Sequence, residues 1–547
     1  MKKYLFIALA ALGFAACEKP AEDNNAQQNG ELEQSYIAVT FSADDMGTRA
    51  VGDEYDEGTT SEREVKCAHF FFFDSNDNPF IIDGTHNWLR VDKRMFEGFE
   101  GEFGPDNTGN GKPNVSDVKT IMAIENYKGE YPSQIVAVLN WGDALTANYT
   151  LGALCEELVN IQGQDNAFVM SNSVYEEESQ DLEINATVLT PANIGKSQEE
   201  AMLNAVTIHV ERLAAKVVVY AEGELANKTY EVGEVDGEKI YAKILSWDFY
   251  NEFKDSRLVK DIYTTWTPTG LGFNWNDEPW FRSYWAETPQ RAFPTDNQVS
   301  YNTLRNKTSV KATSENEGEV NAYYCGENTL EGEANTTKVV LKAQFVKEGG
   351  SNIEVATWWA YSYLGEANLL TAVAASLANQ IYWKDGAEYK SITADDLKVL
   401  EANQTNPNTE AEVKAYHVFF QLSDAALSKN WYLYDAANGY SSKSTNQIDV
   451  VLGGVEPALL YKGGNAYYYT DIKHLGTPQS RGAVGVVRNH SYVVNITDIT
   501  GFGTPVYNGN TYFDPETPKN FETYVAADVR ILSWRLVDED YNIDTTK

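Results

Sequence analysis

The sequence predicts a mainly β protein, two β-sandwich domains with a few short helices. Three observations carry that reading. Apolar and polar residues alternate with a period of two along many short runs, the pattern of half-buried strands. Clusters of Gly, Asn, Asp, Ser and Pro separate those runs, as turns require. Hydrophobic residues make up 43% of the 547 and aromatics 12%, enough for buried cores in more than one domain.

The first segment is set aside before any fold is considered. Lys2 and Lys3 precede an apolar run, Tyr4 to Phe14, too short to span a bilayer. Phe14-Ala15-Ala16-Cys17 follows, small residues directly before a cysteine, as in a bacterial lipobox. Residues 1–17 are therefore expected to be a lipoprotein signal peptide with lipid on Cys17. Simple cleavage after Ala15-Ala16 is the alternative. The polar, aperiodic EKPAEDNNAQQNGELEQ reads as a tether. No later stretch reaches 18 consecutive apolar residues, so a lipid would be the only membrane attachment.

Next comes the stretch around which the chain is organised. Ile37, Val39 and Phe41 alternate with Ala38, Thr40 and Ser42, which predicts a strand. Beyond it Arg49-Ala50 sits among Asp44, Asp45, Gly47 and Asp53, a polar segment of the kind proteases nick. The combination reads as a strand meant to be cut loose, or as an ordinary first strand with a solvated loop. Residues 18–49 are taken as tether plus removable strand.

From Val65, VKCAHFFFFD, the turn Ser75-Asn76-Asp77-Asn78-Pro79 and FII read as a hairpin. Asp74, Asn76 and Asn78 alternate as calcium ligands can, but the following Gly and distal Glu of an EF-hand are missing, so a tight turn is expected. IVAVLNW (135–141) is a buried strand and GALCEELVNI (152–161) a short helix with Leu154, Leu158 and Ile161 on one face. AVTIHVERLAAKVVVY (205–220) reads as one long strand. A boundary is placed after it at Glu222-Gly223-Glu224, giving a first domain over 50–222 and a second, with insertions, over 223–547.

In the second domain KIYAKILSWDFY and TKVVLKAQFV are strands, and EANLLTAVAASLANQI (366–381) is a helix. AYYYTDIKH, VVRNHSYVVNITDI and FETYVAADVRILSWRLVDEDYNI are further strands. In the last, Val525, Ala527, Val529 and Ile531 share one face while Leu532, Trp534 and Leu536 take the other, a phase switch that suggests a bulge or burial on both faces.

Composition narrows the function. Eighty acidic against 43 basic residues give −37, which argues against nucleic acid and anionic membrane surfaces as partners. The six histidines form no HExxH, and neither GxSxG nor a P-loop occurs. Cys67, Cys155 and Cys325 cannot all pair within one chain, and with no CxxC they indicate no zinc site. No enzyme activity, metal or cofactor is expected. Aromatics in alternating strands read as core rather than as a sugar cleft.

Seven segments in the same order carry a resemblance: GFAAC, SYIAVTFS with MGTRA, VTIHVERLAAKVVV, GENT (326–329) with TTKVVLKAQF, YKGGNAYYYTDIKH (461–474), VVRNHSYVVNITDITGFG (486–503) and VRILSWRL. Together they resemble the Bacteroidales fimbrillins, the type V pilins, and most of all the shaft kind of subunit in a minor fimbrium. The resemblance implies two transthyretin-like sandwiches, export as an outer-membrane lipoprotein through Cys17, and arrival at the cell surface. It implies cleavage by a trypsin-like protease between Arg49 and Ala50. The strand holding Ile37, Val39 and Phe41 then leaves, and a C-terminal segment of a neighbouring copy fills its groove. The product is a homopolymer with anchor and tip subunits, serving adhesion and biofilm formation. The best donor in this chain lies after Trp534, where Leu536, Val537, Tyr541 and Ile543 punctuate a polar tail. The alternative is a tip adhesin or surface lipoprotein that binds host glycan or protein.

Overall fold

The computed structural model describes residues 33–42, 55–56, 62, 64–92, 119–126, 130–142, 145–161, 167–172, 175–177, 182–221, 229–261, 288, 299–304, 322–328, 330, 335–401, 417–472, 474, 485–510, 513 and 524–534. The fold is mainly β, as the alternation requires, and its buried side chains gather in three regions.

The first region is one mixed sheet. Its strands run in the order Trp88–Asp92, Cys67–Phe73, Gln134–Leu139, Met170–Asn172, Val206–Arg212, Glu33–Ser42 and Lys119–Asn126. The unbroken run FFFF is explained by burial on both faces. Phe70 and Phe72 pack with Ile37, Val39, Ile124 and Ile208, while Phe71 and Phe73 pack on the opposite side with Trp141, Leu154 and Leu213. Cys67–Phe73 takes Trp88–Asp92 as its antiparallel partner, whereas the expected FII return strand contributes only a bridge at Pro79. The Asp74 carboxylate accepts from the amides of Asn78 (3.0 Å) and Asn76 (2.8 Å), an Asx turn that holds its pKa below the ordinary carboxylate value.

Two sequence expectations shift here. The helix expected over 152–161 spans Leu151–Glu156 only, because Glu157 is extended (φ −66, ψ 133) and Leu158–Asn160 pairs as a strand with Asp255–Arg257. The expected long strand 205–220 is two strands, Val206–Arg212 in the first sheet and Ala214–Ala221 in the second region. The chain therefore changes core at Leu213, ahead of the acidic, glycine-bearing segment at 222–224.

The second region is a sandwich. One sheet runs Tyr323–Gly326, Ala214–Ala221, His490–Thr500, Tyr524–Trp534 and Tyr55–Asp56; the other runs Thr229–Val235, Glu238–Tyr250, Lys338–Val346, Asn465–Asp471 and Thr504–Pro505. Val217, Val219, Trp247, Leu341, Tyr492 and Val494 fill the space between them. Tyr461 and Tyr468 donate their hydroxyls to the carbonyls of Gly503 and Gly501, both at 2.9 Å. Gly503 must be glycine: its φ is +66 and a Cβ would lie 2.4 Å from the Tyr467 carbonyl. The bulge anticipated in the last strand falls on its partner, between Ile496 and Asp498.

The third region is an insertion between Lys338–Val346 and Asn465–Asp471, two strands that pair directly with each other. It has its own core of Leu369, Val373, Phe420, Trp431, Ile448 and Leu460. The helix expected over 366–381 spans Gly365–Leu377, and Ile381 already begins the strand Ile381–Asp385; Thr445–Gly453 is a second helix, started by a Ser444–Gln447 capping box. A four-stranded sheet, ordered Glu388–Ser391, Ile381–Asp385, Trp431–Asp435 and Gly439–Lys443, lies at one side.

Charge is buried where the first two regions meet. Lys216 pairs with Glu62 at 3.1 Å, and the Tyr324 hydroxyl donates to the same carboxylate. Arg212 Nε donates to the Glu62 carbonyl (2.9 Å), and Asn489 Oδ1 accepts from the Arg212 amide (3.1 Å). Beside this, Lys260 pairs with Glu211 at 3.3 Å and Arg488 with Glu327 at 3.5 Å. Desolvation raises the Glu211 carboxyl above its ordinary range, opposed by Lys260 and Arg488. Cys67, Cys155 and Cys325 are all buried, and none of them is in a disulfide.

Candidate functional site: the first strand and its seat

Strand Glu33–Ser42 is not at an edge. It lies between Lys119–Asn126, antiparallel, and Val206–Arg212, parallel. Ile37 sits opposite Met122, Val39 opposite both Thr120 and Val206, and Phe41 opposite Ile208. The antiparallel ladder runs from Glu33 to Thr40 and the parallel one from Val39 to Ser42, and these pair the strand's backbone groups. At its start Tyr36 and Gly195 exchange two hydrogen bonds of 2.9 Å. Gly195 also lets the next helix fold back close to it, since a Cβ there would meet the Ala201 nitrogen at 2.4 Å. Ser197 caps the short helix Gln198–Leu203, which packs against the strand, by accepting from Glu200 N at 3.2 Å.

The side chains follow the sequence pattern and go beyond it. Ile37 (0% exposed) and Val39 (1%) point into the core. Ala38, on the opposite face, is 1% exposed, so the strand is covered on both sides there rather than half-buried. Thr40 Oγ1 lies 3.3 Å from Thr207 Oγ1. Of Phe41 the structure describes the backbone position only. Cys17, Arg49, Ala50, Leu536, Val537, Tyr541 and Ile543 lie outside the described residues.

The structure does bring the flanks of those residues together. Tyr55 pairs with Ser533 and Asp56 with Trp534 in a short parallel ladder. The chain that follows Arg49 therefore lies beside the strand that precedes Leu536. Sequence reasoning missed this, and a two-residue strand leaves no periodicity to find. Tyr524–Trp534 pairs along its length with His490–Thr500. Among the described residues no helix is long and apolar enough to cross a membrane, and no cluster of His, Cys, Asp or Glu could hold a metal ion.

Residues 459–540 match the family described as "Major fimbrial subunit protein type IV, Fimbrillin, C-terminal". The chain carries a fimbrillin C-terminal region. This fimbrillin region starts within strand Ala458–Tyr461, takes in Asn465–Asp471 and His490–Thr500, and includes the whole of Tyr524–Trp534. It thus supplies strands to both sheets of the sandwich. No curated protein matches the chain. Among solved structures it is similar to a candidate cell adhesion protein from Parabacteroides distasonis, at 12% identity and TM-score 0.36 over 92% of this chain and 98% of that one. Another such protein, from Bacteroides eggerthii, shows 11% identity and TM-score 0.33 over 93% and 99%. A fimbrial assembly protein from Parabacteroides distasonis shows 11% and 0.27 over 75% and 100%. At these scores the superpositions carry no argument; the family match does.

Proposed function

We propose that this chain is a subunit of a cell-surface fimbria, exported as a lipoprotein through Cys17 and activated by cleavage after Arg49. The observation that supports it is the fimbrillin region at 459–540. The seat of the first strand supplies a physical route to assembly. If Glu33–Ser42 leaves, two strands lose their ladders and a slot lined by Ile124, Ile208 and Phe70 opens to water. Each buried polar group left unpaired costs about 1–3 kcal/mol, and each apolar side chain of the departed strand contributes about 1.5–3 kcal/mol when buried. An empty seat is therefore a template for another strand. The tail holding Leu536, Val537, Tyr541 and Ile543 of a neighbouring copy is the donor in this reading, and proteolysis is the switch.

N-terminal sequencing of surface material tests it. Mature subunits should begin at Ala50. Material that begins at Cys17, found in assembled fibres, overturns the cleavage step.

A further inference from the structure

The four-stranded sheet of the inserted region has two unlike faces. Cross-strand partners share a face, so the register sorts them. Ile381 pairs with Leu433 and Trp383 with Trp431, and these apolar residues pack on the inserted core. The alternate positions pair Tyr382 with Tyr432, Tyr434 with Tyr440, and Lys384 with Tyr389, with Ser391 and Ser442 opposite Tyr382 and Tyr432. This open face is made of tyrosine, serine and one lysine. Tyr434 is 40% and Tyr440 39% exposed. Tyr389 and Tyr440, from the two outer strands, reach over the inner pair and stack with centroids 3.7 Å apart and planes 2° from parallel. Tyr382 meets Tyr440 edge-on at 5.1 Å.

Cross-strand packing alone would be served by Phe or Val. A hydroxyl on every aromatic of the face adds hydrogen-bonding groups beside flat apolar rings, the combination that wins contact area at low entropic cost in adaptable binding surfaces. Charge points to the occupant. The chain carries −37, so an acidic ligand is repelled by most of it. Register parity places Asp385, Glu388 and Asp435 on the other face. The open face has no carboxylate among its paired positions. Its one charge is the Lys384 ammonium, 5.3 Å from the Tyr389 ring centroid.

We propose that this tyrosine face binds an oligosaccharide bearing an acid group, with sugar rings on Tyr389, Tyr434 and Tyr440 and the acid against Lys384. The site is independent of strand exchange. Calorimetric titration of the intact, uncut chain with lactose, 3′-sialyllactose and 6-sulfated lactose tests it and separates carboxylate from sulfate. At least one acidic sugar should bind about fivefold or more tighter than lactose. Tyr389→Ala with Tyr440→Ala should weaken every sugar about tenfold or more. Lys384→Gln should keep the lactose affinity and erase the acid preference. Should the alanine pair unfold, Tyr389→Phe with Tyr440→Phe retains the rings and should still weaken binding. Three results overturn the proposal: no binding of any sugar, lactose bound as tightly as its acidic forms, or acidic binding that survives both Lys384→Gln and the tyrosine changes. Capture of an extracellular protein through these tyrosines, without sugar binding, would also overturn it.

Discussion

Ile37→Ala separates the role of the first strand before cleavage from its role after. Ile37 is wholly buried among Ala68, Phe70, Ile124 and Ile208, in a strand laddered to Lys119–Asn126 from Glu33 to Thr40 and to Val206–Arg212 from Val39 onward. Those ladders prevent easy collapse of the site, so the truncation should leave most of a cavity, at about 3 kcal/mol within the 2–5 kcal/mol range for Ile→Ala. For a folding unit of this size each kcal/mol lowers the midpoint by about 2–4 °C, so the uncut chain should melt about 6–12 °C lower in its first-region transition. Circular dichroism or calorimetry of purified precursor measures this. Fibres grown from the same variant after cleavage should dissociate in hot detergent at the wild-type temperature, because the strand is no longer in them. An equal drop in fibre and precursor would show that the strand stays in the polymer and sink the exchange argument. A precursor unaffected by the change would sink the packing argument.

Three further outcomes are expected. Lys216→Met alone strands the buried Glu62 carboxylate and should cost about 3–5 kcal/mol, while Glu62→Gln with Lys216→Met should recover much of it; a double-mutant cycle in urea with no coupling refutes the pair. Burial lowers His69 and His490 from 6.5 to about 4. The unfolded chain therefore takes up their protons first, and stability should fall as pH drops from 6.5 towards 4, by about 1.4 kcal/mol per pH unit per histidine. Urea midpoints across that window should be shallower in pH for His69→Gln with His490→Gln, and an unchanged slope counts against burial as the cause. Deleting 537–547 should give a folded monomer that is cut at Arg49 but does not assemble; fibres of normal length would place the donor elsewhere.

How much of this was legible depended on whether the signal was local. The alternation at Ile37 and Val39 named the inward side chains of the first strand, and the 3.6-residue period found Gly365–Leu377. Periodicity says which way a residue faces and nothing about its neighbour. That Glu33–Ser42 sits inside a sheet, parallel to a strand over 160 positions later, was invisible for that reason. The changeover at Leu213 was hidden because AVTIHVERLAAKVVVY stays apolar on alternate residues through both cores. In the sequence the inserted region merges into one second domain with insertions, since its strands Val355–Trp358 and Ala458–Tyr461 find each other only across the whole insertion. Its tyrosine face was read as core because alternation cannot tell an aromatic facing inward from one facing water.

The three buried thiols have a use that no engineering is needed to obtain. Cys67 lies in the first sheet, Cys155 in the layer behind it, and Cys325 in the sandwich core, and burial pushes the Cys155 thiol up to about 11. Shielded by burial, they should be silent to a thiol-reactive label in the folded chain. Each becomes reactive when its own surroundings open, so the order of labelling along a heating or denaturant ramp is a clock for which core parts first. The inserted region has no cysteine and stays dark throughout. Applied while fibres form, the same clock would read how far the first sheet loosens as one strand gives way to another.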